Sequence, residues 1–243
     1  MLNYCEFIDL AIKRLGWRAY AIGCYYAYFK YGAYKLIVKH STSTHSGYSK
    51  GEKRQLAILN SAENILLKLG YDKLSMRKVA NDAGISVGNL QYYFSSKEDL
   101  VAAMLNNVIQ DYLVAFEEIR HHGEPKQQLR ELITEIFLDL NNERTTFFFP
   151  ELWSLANHEK SMVPFMDEMY DKYRMVLANI IKEINPTLTD IQTKRLSLFI
   201  SSSIEGHTIF IGYQKPWIEE TKPIISIALQ SFLWLIEQGD IPN

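Results

Sequence analysis

The stretch SMRKVANDAGISVGNLQYYF, Ser75–Phe94, decides how the chain is read. Met76, Val79, Ala80 and Ala83 recur at helical spacing and give a short helix one apolar face. Ser75 stands just ahead of them, where a hydroxyl caps the first free N–H groups. Gly84 follows, a residue that takes positive φ after a helix end. Ser86 offers a second N-cap, and Leu90 and Phe94, four apart, make the buried face of a second short helix from Val87 to Phe94. Two short helices joined by a tight Gly-containing turn form a helix-turn-helix unit. Asn89, Gln91, Tyr92 and Tyr93 are left on the free face of the second helix, and Gln has the donor and acceptor to bond adenine in two places.

Such a unit cannot bury its own apolar face, and its flanks supply a partner on each side. Upstream, Ile58, Ala62, Ile65, Leu66 and Leu69 form one stripe of a helix from about Gly51 to Leu69, which Gly70 stops. Downstream, Ser96 caps a further helix, with Asp99 three residues on as a short capping box. Leu100, Met104, Leu105, Val108, Tyr112 and Phe116 give that helix a long apolar seam. Lys97 lies in its first turn, where a phosphate meets a helix N-terminus, and Arg77 points away from the apolar stripe of its own helix.

From Glu52 to about Tyr112 the chain resembles the DNA-binding domain of the TetR family of transcriptional regulators. The matching residues are Ile58-Leu59 and Ala62, Leu69-Gly70-Tyr71, and Ser75 with Val79-Ala80 and Ala83-Gly84-Ile85-Ser86. Gly88, Leu90, Tyr93-Phe94 and Ser96-Lys97-Glu98-Asp99-Leu100 complete the set. The resemblance covers about a quarter of the chain. It implies an all-α fold, with a three-helix DNA-binding head joined by the fourth helix to a larger helical body that binds effector and dimerises. Residues 52–112 then form the head, with the helix-turn-helix at 75–94, and residues 113–243 form the body. Contacts to DNA are expected from Ser75, Arg77, Asn89, Gln91, Tyr92, Tyr93 and Lys97, with Gln91 and Asn89 reading base edges and the others positioning on phosphate. Capping alone also explains Ser75. Gln91 stands where the family leads one to expect an aromatic residue, so no operator sequence is carried over.

Charge divides along the chain in the same sense: 14 Lys and Arg against 8 Asp and Glu through residue 99, then 12 against 20. A basic front end on an acidic body suits a DNA-binding head whose body stays off DNA. Cys5 and Cys24 make neither a disulfide framework nor a zinc motif, and a reducing cytoplasm is the simplest setting. His121 and His122 are adjacent with no third ligand in view, so no metal is expected, and no cofactor. Ser75-x-x-Lys78 matches the spacing of an acyl-enzyme serine, but Ser75 is needed as a cap and no partner motif accompanies it, so no enzyme is expected.

The body reads as helices throughout. Leu129, Leu132, Ile133, Ile136, Phe137 and Leu140 form one stripe; Phe147, Phe148, Phe149, Leu152, Trp153 and Ala156 lie in a second segment. A third, opened by Pro164 and ended by Asn185-Pro186, carries Met166, Met169, Tyr170, Tyr173, Val176, Leu177, Ile180 and Ile181. One long helix is expected over Thr189–Tyr213, capped by Thr189 with Gln192, and a last one carries Ile224, Ile227, Ala228, Phe232, Leu235 and Ile236. These last two have more apolar surface than one contact needs, and the resemblance implies that they pair with a second copy in a homodimer. An effector cavity is implied inside the body. Phe148, Trp153, Tyr170, Tyr173 and His207 have inward spacing, although aromatic stripes at that spacing are core packing more often than pocket lining. A flat hydrophobe or, through cation–π contact, a quaternary amine suits such residues.

Residues 1–50 are an N-terminal extension and linker, longer than the family carries before its first helix. The Tyr-rich Met1–His40 admits three readings: an extension helix packed on the body, an interfacial membrane segment, or residues outside a mature protein begun at an alternative codon near Leu36 or Val38. The expected function is a sequence-specific DNA-binding regulator, a dimeric repressor released from an inverted-repeat operator by a small-molecule effector. The competing reading is a membrane-associated helical ligand-binding protein anchored by residues 1–40.

Overall fold

The computed structural model describes residues 49–120 and 123–242. The expectations placed on residues 1–48 and on His121 and His122 lie outside them. Every regular element among the described residues is helical.

Helix α1 (Lys50–Leu69) starts on a full capping box. Ser49 Oγ accepts from the Glu52 amide, and the Glu52 carboxylate accepts from the Ser49 amide at 2.7 Å. The polar linker therefore ends one residue earlier than composition suggests. The stripe is as expected at Ile58, Ala62, Ile65 and Leu66, but Leu69 is exposed: it lies where the helix ends, and Leu59 is buried instead. After a short 3-10 turn, α2 (Met76–Asp82) and α3 (Val87–Tyr93) follow. Gly84 joins them at φ +64°, with the Ile85 amide bonding back to the Ala80 carbonyl at 2.9 Å. That i to i−5 bond needs a left-handed residue, and a side chain there would be strained.

Helix α4 (Lys97–Arg120) runs from this group into the rest of the molecule, where α5 (Pro125–Asp139), α6 (Glu143–His158) and α7 (Val163–Ile184) pack against it and one another. The expected single helix over Thr189–Tyr213 is in fact two. Helix α8 (Asp190–Gly206) stops at His207, and α9 (Thr208–Ile211) restarts after it. The break is held by tertiary bonds. Thr146 Oγ accepts from the Tyr213 amide at 2.7 Å, and Asn141 Nδ2 donates to the Ile211 carbonyl at 2.6 Å. Gly212 sits so close to its surroundings that a Cβ would lie 2.4 Å from the Thr208 carbonyl oxygen and 2.9 Å from Thr146 Oγ. Helix α10 (Thr221–Gln238) closes the described chain.

Two apolar clusters result. One gathers α1, α2, α3 and the first half of α4, and Phe148, Leu152 and Leu155 of α6 with Met169 of α7 complete it. The other gathers α5, the rest of α7, α8 and α10 around Phe137 and Leu177. Tyr112, Leu113 and Tyr170 pack against both. A boundary at residue 112 thus falls within α4 and beside a cluster that α6 helps to close.

Candidate nucleic-acid interface and body cavity

The short helix α3 has one buried residue, Leu90, and Phe94 is buried just past its end. Asn89, Gln91 and Tyr92 are exposed, Tyr92 at 82% of its full area. Burying so large a ring elsewhere would be favourable, so its exposure is the part of this surface that folding leaves unexplained. Tyr93 is half-buried and meets Tyr92 edge to face, ring centres 5.3 Å apart. Ser86 Oγ accepts from the Asn89 amide at 3.1 Å, which pins the start of the helix and leaves the Asn89 side chain free of that duty. Ser75 Oγ accepts from the Lys78 amide at 3.4 Å, and Arg77 is exposed.

Lys97 stands apart. Its Nζ donates to the Tyr71 carbonyl at 3.1 Å and sits 3.7 Å above the centre of the Tyr71 ring. A lysine expected to meet phosphate is thus already engaged with the turn that follows α1. The sequence does not signal this contact, because Tyr71 and Lys97 are brought together by the packing of α1 on α4. Ser96 Oγ caps α4 through the Asp99 amide at 3.0 Å, and hydrogen bonds from Ser95 and Ser96 hold the Asp99 carboxyl below its usual range.

The second site is a cavity where the two apolar clusters meet. It is walled by Tyr112 and Phe116 of α4, Phe149 of α6, and Tyr170 and Tyr173 of α7, with Asp139, Thr145 and Glu205 as its other polar residues. As packed, it holds about 50 Å³, enough for a few water molecules. Of the aromatic residues expected inside, Tyr170 and Tyr173 line it. Trp153 is one step behind, its Nε1 donating to the Tyr170 hydroxyl at 2.7 Å. Phe148 is buried against Phe149 in the cluster that α1, α2 and α3 form. His207 meets the edge of Phe137, its Nδ1 2.6 Å from the Ser203 carbonyl oxygen. The last two lie outside the lining because α6 turns its Phe148 face toward α1 and because α8 ends at His207.

Three polar lining residues form a closed set at one end. The Tyr112 hydroxyl donates to Asp139 Oδ2 at 2.9 Å, and Thr145 Oγ donates to the same oxygen at 2.6 Å. Burial raises the Asp139 carboxyl, and these bonds oppose the rise. At the other end stands Glu205, whose carboxyl burial pushes up to about 7, with the Tyr170 hydroxyl opposing the rise. The Tyr173 hydroxyl, also buried, has no hydrogen-bond partner among the described residues. Sequence periodicity could not find Asp139 or Glu205, because carboxylates at helical spacing read as solvent-facing until a neighbour covers them.

Among the described residues no helix is long and apolar enough to cross a membrane. Residues 58–104 match the family model of bacterial regulatory proteins, tetR family. Half of the chain is 30% identical to an uncharacterized HTH-type transcriptional regulator of Xanthobacter autotrophicus, over 125 residues that span 62% of that relative. Among solved structures, a TetR transcription regulator from Haloarcula marismortui superposes with a TM-score of 0.58 over 77% of this chain and 96% of its own, at 17% identity. The regulator FadR from Bacillus subtilis, solved with stearoyl-CoA, gives 0.59 over 76% and 98%, at 18% identity.

Proposed function

We propose that the chain, whose residues 58–104 match the family model of bacterial regulatory proteins, tetR family, is a sequence-specific DNA-binding regulator of that family, a homodimeric repressor that a small molecule releases from an inverted-repeat operator. The observation that carries this reading is the face of α3. Gln91, Asn89 and Tyr92 stand out into solvent while Leu90 and Phe94 are buried against the rest of the head. A short, rigid helix presenting amide and phenol groups is suited to the major groove, with Gln91 and Asn89 on base edges and Tyr92, Tyr93, Arg77 and Ser75 on the backbone. Lys97 joins them if it leaves Tyr71 or serves phosphate from there.

Two features support the finer parts. Ile191, Leu198 and Phe199 of α8 and Ile227 and Trp234 of α10 are each at least half exposed. The seven-residue intervals from Ile191 to Leu198 and from Ile227 to Trp234 repeat one helix face, and two such apolar faces suit a four-helix interface with a second copy. Helix α6 supports the coupling: Thr145 and Phe149 line the cavity, while Phe148 and Leu152 pack into the head cluster. An effector that binds better to the state with altered head spacing draws the population off DNA, by no more than its differential affinity for the two states.

The test is binding of the purified protein to the duplex upstream of its own gene, against a scrambled duplex, across a salt series. A regulator of its own gene prefers the upstream duplex by at least ~10³-fold at physiological salt. Equal, weak binding to that duplex, to the scrambled one and to genomic fragments selected by repeated binding would overturn the reading.

A further inference from the structure

We propose that the cavity is built for a small lipophilic amine, bound as its ammonium ion between Glu205, Tyr170 and Tyr173. This rests on reading the cavity as the effector site.

The walls are apolar rings, so a ligand here has a hydrophobic body. The polar lining is acidic or hydroxylic, with no Lys or Arg among the described lining residues. An anionic head would meet Asp139 and Glu205 with no cation in the lining to neutralise it: Arg144 is engaged by Glu63, and Arg174, 5.8 Å from the centre of the Tyr170 ring, is paired with Asp171. Asp139 is already committed, to Tyr112 and Thr145. Glu205 faces the Tyr170 hydroxyl, which holds its carboxyl down against the rise from burial, and it forms no ion pair with any described basic side chain, so most of its acceptor capacity is unused. The same lining holds the Tyr173 hydroxyl, buried and without a partner among the described residues, a group that costs free energy as it is. A ligand carrying N–H donors on a positive centre serves both at once. It donates to the Glu205 carboxylate and to the Tyr173 oxygen, and it lies among electron-rich ring faces that favour a cation. A quaternary ammonium has the charge but no N–H for Tyr173. The small free volume favours a body of one ring or a short alkyl chain, since anything longer has to displace packed side chains.

The experiment is calorimetric titration of the full chain with 2-phenylethylamine, 2-phenylethanol and 3-phenylpropanoate, three bodies of similar size with cationic, neutral and anionic heads. Palmitoyl-CoA is the long anionic comparison. The expected result is amine binding at least tenfold tighter than alcohol binding, with the carboxylate weaker still. Glu205→Gln, which keeps the shape, removes that tenfold preference, leaves alcohol binding unchanged and still unfolds in one cooperative transition. Tyr173→Phe weakens the amine a fewfold without destabilising the fold. Equal binding of amine and alcohol, tighter binding of either anion, or an unchanged preference in Glu205→Gln overturns the proposal. Addition of the amine to the protein–DNA complex separates the two readings. Amine binding that leaves DNA affinity unchanged keeps the ligand class and overturns the effector role.

Discussion

Arg144 of α6 grips Glu63 of α1 with both arms of its guanidinium, Nη2 donating to Oε2 at 3.1 Å and Nε to Oε1, across 81 residues of chain. The pair is largely buried, and Asp111 of α4 lies 3.8 Å from the same Nη2. The next residue, Thr145, belongs to the cavity lining. One turn of α6 therefore touches both the head and the cavity.

Removing one partner strands the other. Arg144→Met is expected to cost about 3 kcal/mol in urea-induced unfolding, because Glu63 is left buried without its cation. Glu63→Met with Arg144→Met is expected to recover most of that, since an apolar pair of similar volume fills the same space. If the double variant is no more stable than Arg144→Met, the cost arises elsewhere.

In the head, Gln91→Ala is expected to weaken binding to the cognate duplex by about 1–3 kcal/mol and to relax selectivity at one base pair. Arg77→Ala is expected to weaken cognate and scrambled duplexes alike and to lower the salt slope by about 0.9. Lys97→Ala has a second consequence. Besides any loss of slope, it removes the contact with Tyr71 and lowers stability by about 0.5–1 kcal/mol. Loss of stability with an unchanged salt slope would assign Lys97 to the turn alone.

The dimer proposal depends on side chains that the single chain leaves in water, Ile227 and Trp234 being about 60% exposed. Charged residues there cost the isolated chain little, but they bring like charges together across a symmetric interface. Ile227→Glu with Trp234→Glu is expected to convert a dimer to a monomer in sedimentation velocity at micromolar concentration, with helical content unchanged. A dimer that survives both changes uses another face.

Glu135 and Glu205, and in the same sense Asp139, whose carboxyl burial also raises, make stability fall as pH rises. Burial, with neighbouring Asp139 and Glu131, pushes Glu135 up to about 7, and burial pushes Glu205 up to about 7 as well. Both are held protonated in the fold at a pH where the unfolded chain has already released the proton. The folded state therefore binds more protons between about pH 4.5 and 7, and stability declines across that window. The groups facing Glu205, the Tyr170 and Tyr173 hydroxyls, stay neutral throughout. Glu205→Gln is expected to reduce the drop in unfolding free energy between pH 5 and pH 7 by roughly 1–2 kcal/mol. An unchanged drop would show that Glu205 is ionised in the fold at pH 5.

Glycines in neighbouring segments should behave in opposite ways. Gly212→Ala drives a Cβ into the Thr208 carbonyl and is expected to cost about 1–3 kcal/mol. Gly206→Ala, with nothing within 4 Å and a helical backbone, is expected to stabilise by about 0.5–1 kcal/mol. Thermal unfolding of the two variants checks both signs.

The amino-acid sequence by itself determined the local elements. Ser75, Gly84 and Ser86 stand at the two caps and the turn that join α2 to α3, because capping and left-handed φ depend on residues a few positions apart. The stripe Ile58, Ala62, Ile65 and Leu66 is buried where its spacing places it. The exposed face of α3 follows from the same periodicity. Tertiary structure decided everything that depends on which helix covers which. Phe147 and Ile227 share the spacing of buried residues and are exposed, because no described helix lies over them. His207 breaks a helix that periodicity carries on to Tyr213, because Thr146 and Asn141 capture the backbone beyond it. Lys97 is drawn to Tyr71, and Asp139 and Glu205 are drawn inside, because helices distant in sequence close over them. Hydrophobic period tells a residue that it needs cover, but only packing chooses the cover and with it the polar groups that end up in the cavity.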